Sequence, residues 1–394
     1  MPYPVSVSML AWAGFVALAV AMGIGRFAFT PMLPLMQEDL DLGLAQGGWL
    51  ASANYLGYLA GALSAAFLPW RGSTLLIIGL SLVAGTTALM GWTTTWSTWI
   101  AWRSIAGIAS AWTLVAAASL CISRLAQAGA SHKTGIVFAG VGTGIAISGL
   151  ICLYADLYGH TASHTWLMLG TLAAIGILAT QPLWSPLPLP APASAPPPPD
   201  TPHRAENWAH WRLILCYGFF GFGYILPATF LPAQARELLN DAAQFGLAWP
   251  LFGLAAAIST LACSGLLKRF GRRTLWLLAQ LTMALGVAIP ALVPGLGAII
   301  LAAICVGGTF MMITMLGMQQ AQISGGPRAR ALMANLTAAF AAGQLAGPVF
   351  FSLIHEHFDV TLSTSLYVGA LALVVDCLLL IKPFPVYAGP TNVP

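Results

Sequence analysis

Charge is what this sequence has least of. Its 394 residues hold 15 lysines and arginines and 11 aspartates and glutamates, 7% of the chain, where soluble domains run near about 25%. So few ionised groups cannot solvate a water-facing surface of this size. That excludes a soluble enzyme, a disordered chain and a nucleic-acid binder. Cysteine chemistry is equally thin. Cys121, Cys152, Cys216, Cys263, Cys305 and Cys377 sit singly inside apolar runs, with no CxxC or histidine-linked spacing. They read as buried thiols, and neither a disulfide scaffold nor a metal site is expected. The amino end lacks a basic stretch, and its first apolar run continues past signal-peptide length, so it is expected to stay in the membrane. No nucleophile–base pair, phosphate-cradling loop or nucleotide motif occurs, so no enzyme and no cofactor are expected.

What the sequence has in place of charge is long apolar runs, with a mean hydropathy of +0.83. A spanning helix needs about 20 apolar residues. Runs near 8–36, 46–67, 73–91, 97–124, 133–155, 163–181, 210–235, 243–267, 274–292, 296–322, 331–353 and 362–381 predict twelve spans. Alternation is absent and the runs are too long for strands, so the fold class is an all-α membrane protein. Glycine, with 41 copies, is spread through the spans, as where helices approach closely; Gly57 with Gly61 and Gly140 with Gly144 are such pairs.

Between 181 and 208 the pattern breaks. This segment holds ten of the 26 prolines and reads as an extended linker. It separates an N-terminal six-helix bundle (1–180) from a C-terminal one (209–394). If the amino terminus is inside, twelve of the fifteen basic residues face the cytoplasm, among them Arg71, Arg124, Lys133 and Lys382. Eight of the eleven acids, including Glu38, Asp39, Asp41, Asp156, Glu237 and Asp241, face outward. Both termini are therefore expected in the cytoplasm. The basic group Lys268, Arg269, Arg272 and Arg273 reads as an inside anchor, the simpler reading, with binding of anionic lipid as the alternative.

The halves repeat. Gly23-Ile24-Gly25-Arg26 with Leu33-Pro34 matches Gly221-Phe222-Gly223-Tyr224 with Leu231-Pro232 at an offset of 198, and Gly140 with Gly144 matches Gly343 with Gly347 at 203. Transporters are often built from such repeats, with substrate held near the midplane between them.

Six plus six spans, a cytoplasmic linker and parallel-related halves resemble the major facilitator superfamily. Arg103-x-x-Ala106-Gly107 is similar to its fourth-span motif, in which the arginine is linked to proton coupling. Gly265 to Arg273 resembles its gating loop, with Lys268 where the family has aspartate. The fifth span departs from the antiporter pattern, since Ile145 rather than proline follows Gly144. Gly23 to Phe27 with Leu33-Pro34, and Gly223-Tyr224 with Thr229 to Pro232, look like the YbfB/YjiJ branch. The resemblance implies the major facilitator fold, two bundles about a pseudo-twofold axis, in a bacterial inner membrane.

Three charges lie within spans: Arg26, Arg103 and Asp376. Each costs about 2.5–3.5 kcal/mol to insert, so each needs a reason. Arg26 follows two glycines where the helix can unwind. It either braces the freed carbonyls or presents a cation to a central cavity, and Arg103 divides likewise between packing and coupling. Asp376, near Lys382, reads as an inner-gate or packing contact and as the one acid available for proton coupling. By the resemblance the first, fourth, seventh and tenth spans line the cavity. The candidate substrate set is then Arg26, Asn54, Tyr55, Tyr58, Arg103, Tyr217, Tyr224, Met315, Gln319 and Gln344. Across the repeat Arg103 falls near Ile304. An arginine-bearing half opposite an aromatic, methionine-rich half (Met311, Met312, Met315, Met318) suits an amphipathic carboxylate. The loop His355-Glu356-His357-x-Asp359 reads as ordinary polar loop. The expected function is secondary transport of a small organic anion by alternating access, coupled to protons or another ion. Proton-antiport efflux of drugs or metabolites, and a non-transporting receptor or scaffold, are the alternatives.

Overall fold

The computed structural model describes residues 6–184, 204–238, 242–293, 295–358 and 362–384, some of these by backbone alone. Most of the Pro-rich linker lies outside the described residues, as do Asp241 and Asp359 and the side chains of 204–207, 228–238, 242–246 and 351–358; the backbone of His355–His357, expected as loop, is the last turn of a helix.

Every long element is helical. α1 (Val7–Leu18) continues through a π-helical segment (Ala19–Phe27) into α2 (Phe29–Asp39). There follow α3 (Leu44–Phe67), α4 (Gly72–Trp92), α5 (Trp96–Gln127), α6 (Thr134–Leu157) and α7 (Ala162–Leu178). After the linker come α8 (Arg204–Leu238), α9 (Ala242–Phe270), α10 (Arg272–Leu292), α11 (Leu296–Gly325), α12 (Ala329–Phe358) and α13 (Leu362–Leu380). The ends are set by local chemistry. Ser6 and Thr161 cap α1 and α7 by accepting from the backbone N–H groups of Met9 and His164, satisfying donors that a helix start leaves free. Between α9 and α10 a single residue turns the chain. Gly271 does so at φ +72°, a left-handed conformation that a Cβ disfavours.

Eight stretches of the described residues are long and apolar enough to cross a membrane, the longest, Leu296–Phe350, taking in α11 and most of α12. Their outer faces confirm the solvent. Leu247, Leu251, Leu254, Ile258 and Leu261 form an exposed stripe along α9, at the three- and four-residue spacing of one helical face. Lipid tails match such a face and water does not. Trp92 and Trp96 stand exposed at the α4–α5 turn, and Trp208 and Trp211 near the start of α8, as in an interfacial aromatic belt. The chain is an integral, multi-pass membrane protein.

Inside, α3 and α4 pack on α5, and the α1–α2 stretch packs on α6. α8 packs on α12 and α13, and α10 on α11 and α13. The most extensive packing between the first half of the sequence and the second is that of α6 with α9 and of α3 with α12, and α11 and α12 also touch α5. Glycine makes the close approach of α3 to α5 possible. A Cβ on Gly57 would lie 2.1 Å from the Ser104 carbonyl oxygen, and one on Gly107 2.2 Å from that of Asn54. Both sites are closed by backbone, which cannot move aside. Gly57→Val is therefore expected to destabilise the protein by about 1–3 kcal/mol or more, the usual range for overpacking. Gly85→Val, where nothing lies within 4 Å, serves as the control. Thermal unfolding of both purified variants decides it, and equal melting temperatures would refute the close-approach argument.

Candidate functional site

The site begins with the widened turn of the first helix. A π-helical segment puts backbone carbonyls out of register with the ordinary ladder, and in a membrane they must find other donors. Side chains from α5 and α6 supply them. Ser110 Oγ donates to the Ala21 carbonyl at 2.8 Å and Ser148 Oγ to that of Gly23 at 3.4 Å. Arg103 donates from Nη1 to the Gly25 carbonyl at 3.2 Å and from Nη2 to that of Arg26 at 3.3 Å. Its guanidinium also lies 4.7 Å from the Phe29 ring centre. Asn54 Nδ2 in turn donates to the Arg103 carbonyl at 3.0 Å. Arg103 is thus engaged in holding the π segment.

Arg26, one step along the same segment, is engaged differently. It is 3% exposed. Its Nη2 donates to Gln344 Oε1 on α12, and its Cζ sits 3.6 Å from the Tyr58 ring centre, with Tyr55 at 5.5 Å and Phe27 at 5.7 Å. Nε and Nη1 are buried and have no hydrogen-bond partner among the described residues. Rings and one neutral amide are all that answer this charge there. A guanidinium in such surroundings is short of an anion, because burying an unpaired charge costs several kcal/mol.

Next to the cation stands an aromatic wall. Phe27 meets Phe310 edge to face at 6.0 Å, and Tyr224 stacks on Phe310 at 5.3 Å. Phe252 stacks on the same ring at 5.2 Å, and Tyr224 lies 5.9 Å from Phe340. Arg26, Tyr55, Tyr58, Gln344 and Tyr224 thus belong to one neighbourhood, with Asn54 and Arg103 behind it. Phe27, Phe310, Phe340, Ser110 and Ser148 were not among the residues expected from sequence. The hydroxyls in the middle of two apolar runs were the available signal, since each needs a partner in lipid.

Tyr217 adjoins this neighbourhood, its ring edge-on to Phe220 at 5.8 Å and Phe220 lying 6.2 Å from Tyr224, and the remaining expected residues lie beyond it. Tyr217 donates to the Thr314 carbonyl at 2.8 Å and packs edge-on against Trp276. Gly317 leaves the room for its ring, which a Cβ would meet at 2.1 Å. Met315 is fully buried on α11. Asp376 is fully buried on α13, where its Oδ2 accepts from Gln280 Nε2 at 2.5 Å and the Cys216 thiol lies beside it. Ile304, the repeat counterpart of Arg103, is 52% exposed on the outer face of α11. Gln319 lines a separate cleft of 280 Å³ with Lys268 and Arg272, while Arg269 and Arg273 are exposed. At that same end Arg330 donates to the carbonyls of Trp70 and Leu68, both at 2.6 Å, and Ser264 Oγ to that of His132 at 2.5 Å. These bonds tie α12 to the α3–α4 turn and α9 to the start of α6. Among the described residues no group of three or more His, Cys, Asp or Glu side chains gathers to hold a metal.

An all-helical membrane body thus holds a buried cation midway along a distorted helix, and the family it matches is one of transporters. The chain belongs to a family of the major facilitator superfamily, that of the "Uncharacterised MFS-type transporter YbfB", whose model matches residues 18–381. No curated protein sequence matches it. Its backbone is similar to the crystal structure of the human organic anion transporter MFSD10 (TETRAN), with a TM-score of 0.73, 15% identity, and 95% of this chain and 99% of that one covered. It is also similar to a variant of the E. coli fucose:proton symporter FucP, with a TM-score of 0.70, 16% identity, and coverage of 95% and 97%.

Proposed function

We propose that this transporter carries a small organic anion or amphipathic carboxylate across a bacterial inner membrane, by alternating access and with proton coupling. The observation that carries the reading is Arg26, a buried guanidinium whose Nε and Nη1 donors have no partner among the described residues. A carboxylate paired with those donors forms charge-assisted hydrogen bonds, and the apolar part of the same molecule then lies against Phe310 and Tyr224. The human neighbour is an organic anion transporter and the bacterial one a proton symporter. At these identities they carry the fold alone, so the anion reading rests on Arg26.

The architecture proposed with it is twelve spans, bundles at 1–180 and 209–394, and both termini in the cytoplasm. Paired contacts support the duplication: Gly140 abuts the Phe15 carbonyl, and Gly343, 203 residues on, abuts the Gly218 carbonyl, itself 203 residues beyond Phe15. Asp376 is the coupling candidate, a fully buried carboxyl on α13 beside the Gln280 amide and the Cys216 thiol, and intramembrane acids of this kind serve as proton relays.

Flux into proteoliposomes under an imposed pH gradient tests the reading. Uptake of at least one carboxylate from a panel, and of no matched amide, is the expected result. Equal transport of cationic drugs would establish the efflux alternative instead, and binding without flux would establish a receptor.

A further inference from the structure

The cleft near the α9–α10 turn is not part of the Arg26 site. It lies between elements from both halves of the sequence, the α5–α6 turn on one side and α9, α10 and α11 on the other. Lys268, Arg272, Ser264, His132 and Gln319 are among its polar lining, with Ser131, Thr134 and Gln322, and none of the residues around it is acidic. Lys268 is exposed at the rim and Arg272 is half-buried. The Arg272 Nε is buried and unpartnered among the described residues. α10 begins at Arg272 with no side chain capping it, so its first N–H groups add partial positive charge. Gln319 gives an independent indication. It is 7% exposed, and its Oε1 has no partner among the described residues. A native protein rarely leaves a buried amide oxygen empty.

We propose that this cleft binds a phosphate accompanied by a hydroxyl donor, either free phosphate with its P–OH or the headgroup of an anionic lipid such as phosphatidylglycerol with its glycerol hydroxyls. The charged oxygens meet Lys268, Arg272 and the amino end of α10, as phosphates do at helix starts. The hydroxyl donates to Gln319 Oε1, which a fully ionised sulfate cannot do. Because the walls come from both halves, an occupant stabilises the arrangement in which Ser264 reaches His132. It thereby shifts the conformational equilibrium toward this state.

The test is thermal unfolding of the full chain in nanodiscs of zwitterionic lipid, titrated with inorganic phosphate at constant ionic strength. A parallel series replaces part of the lipid with phosphatidylglycerol. One of the two arms is expected to raise the melting temperature, and which one responds identifies the source. Lys268→Gln with Arg272→Gln is expected to weaken the effect by about tenfold or more, as charge-assisted bonds are lost. Arg269→Gln with Arg273→Gln, an equal change of charge outside the cleft, keeps it. Gln319→Leu weakens it with no change of charge, and sulfate in place of phosphate gives a smaller shift. Equal loss in the two double variants would mean diffuse attraction and overturn the proposal, as would no response in either arm. Unliganded melting temperatures establish that each variant folds. Arg26→Gln leaves the response intact, so this proposal and the substrate reading fail separately.

Discussion

Arg26→Gln is expected to lower carboxylate uptake by about 100-fold or more while leaving the protein as stable as before. Removing one partner of a buried, hydrogen-bonded charge pair costs roughly 2–5 kcal/mol of binding. Here the other partner would be the substrate anion, so the loss falls on transport. Stability behaves differently because Arg26 is buried with no ion-pair partner among the described residues. Among the described residues Arg26 Nε and Nη1 have no partner to lose, and the bond to Gln344 and the contact with Tyr58 are offset by the desolvation that a neutral side chain avoids. Arg26→Lys keeps the charge but loses the planar fork, and an intermediate loss of about tenfold is expected. Uptake per folded molecule, set beside the melting temperature, measures both effects. Wild-type uptake by Arg26→Gln would sink the anion reading.

The same residue shows what sequence could convey. Both arginines stood out because charge within an apolar run is expensive, and that argument needs no coordinates. Element positions were equally plain: the runs near 73–91 and 296–322 correspond to Gly72–Trp92 and Leu296–Gly325, since hydropathy averages over several turns. What sequence could not do was divide the labour between Arg26 and Arg103. That depends on the direction in which a π-helical turn points its side chains and carbonyls, and the residues of Ala19–Phe27 carry no pattern that separates a π turn from an α turn. Gln344 as the partner of Arg26 lies 318 residues away, visible only once α12 is packed beside α3. Gln319 was grouped with the substrate residues because it shares α11 with the methionines. One further turn of helix carries it into the cleft beside Arg272.

Arg103→Leu is expected to have the opposite signature, a large loss of stability with transport lost as its consequence. Two backbone carbonyls depend on this side chain, those of Gly25 and Arg26. Hydrogen bonds to a charged group contribute about 1.5–3 kcal/mol each, and the desolvation cost of the guanidinium reduces the sum. A net destabilisation of about 2–4 kcal/mol follows, enough to lower the melting temperature by several degrees. Leucine fills much of the space, so the effect measures the uncapped carbonyls rather than a void. Ser110→Ala removes one neutral bond to the Ala21 carbonyl and should cost about 1 kcal/mol, which sets the scale for the segment. Because the Arg26 carbonyl is one of the two held by Arg103, loosening the segment also frees Arg26 to move. Anion affinity should therefore fall even in the fraction that folds, and Arg103→Lys, able to reach one carbonyl at a time, should restore stability only in part. A melting temperature unchanged in Arg103→Leu, with uptake abolished, would assign Arg103 to substrate or proton chemistry and remove its role as the brace of the first helix.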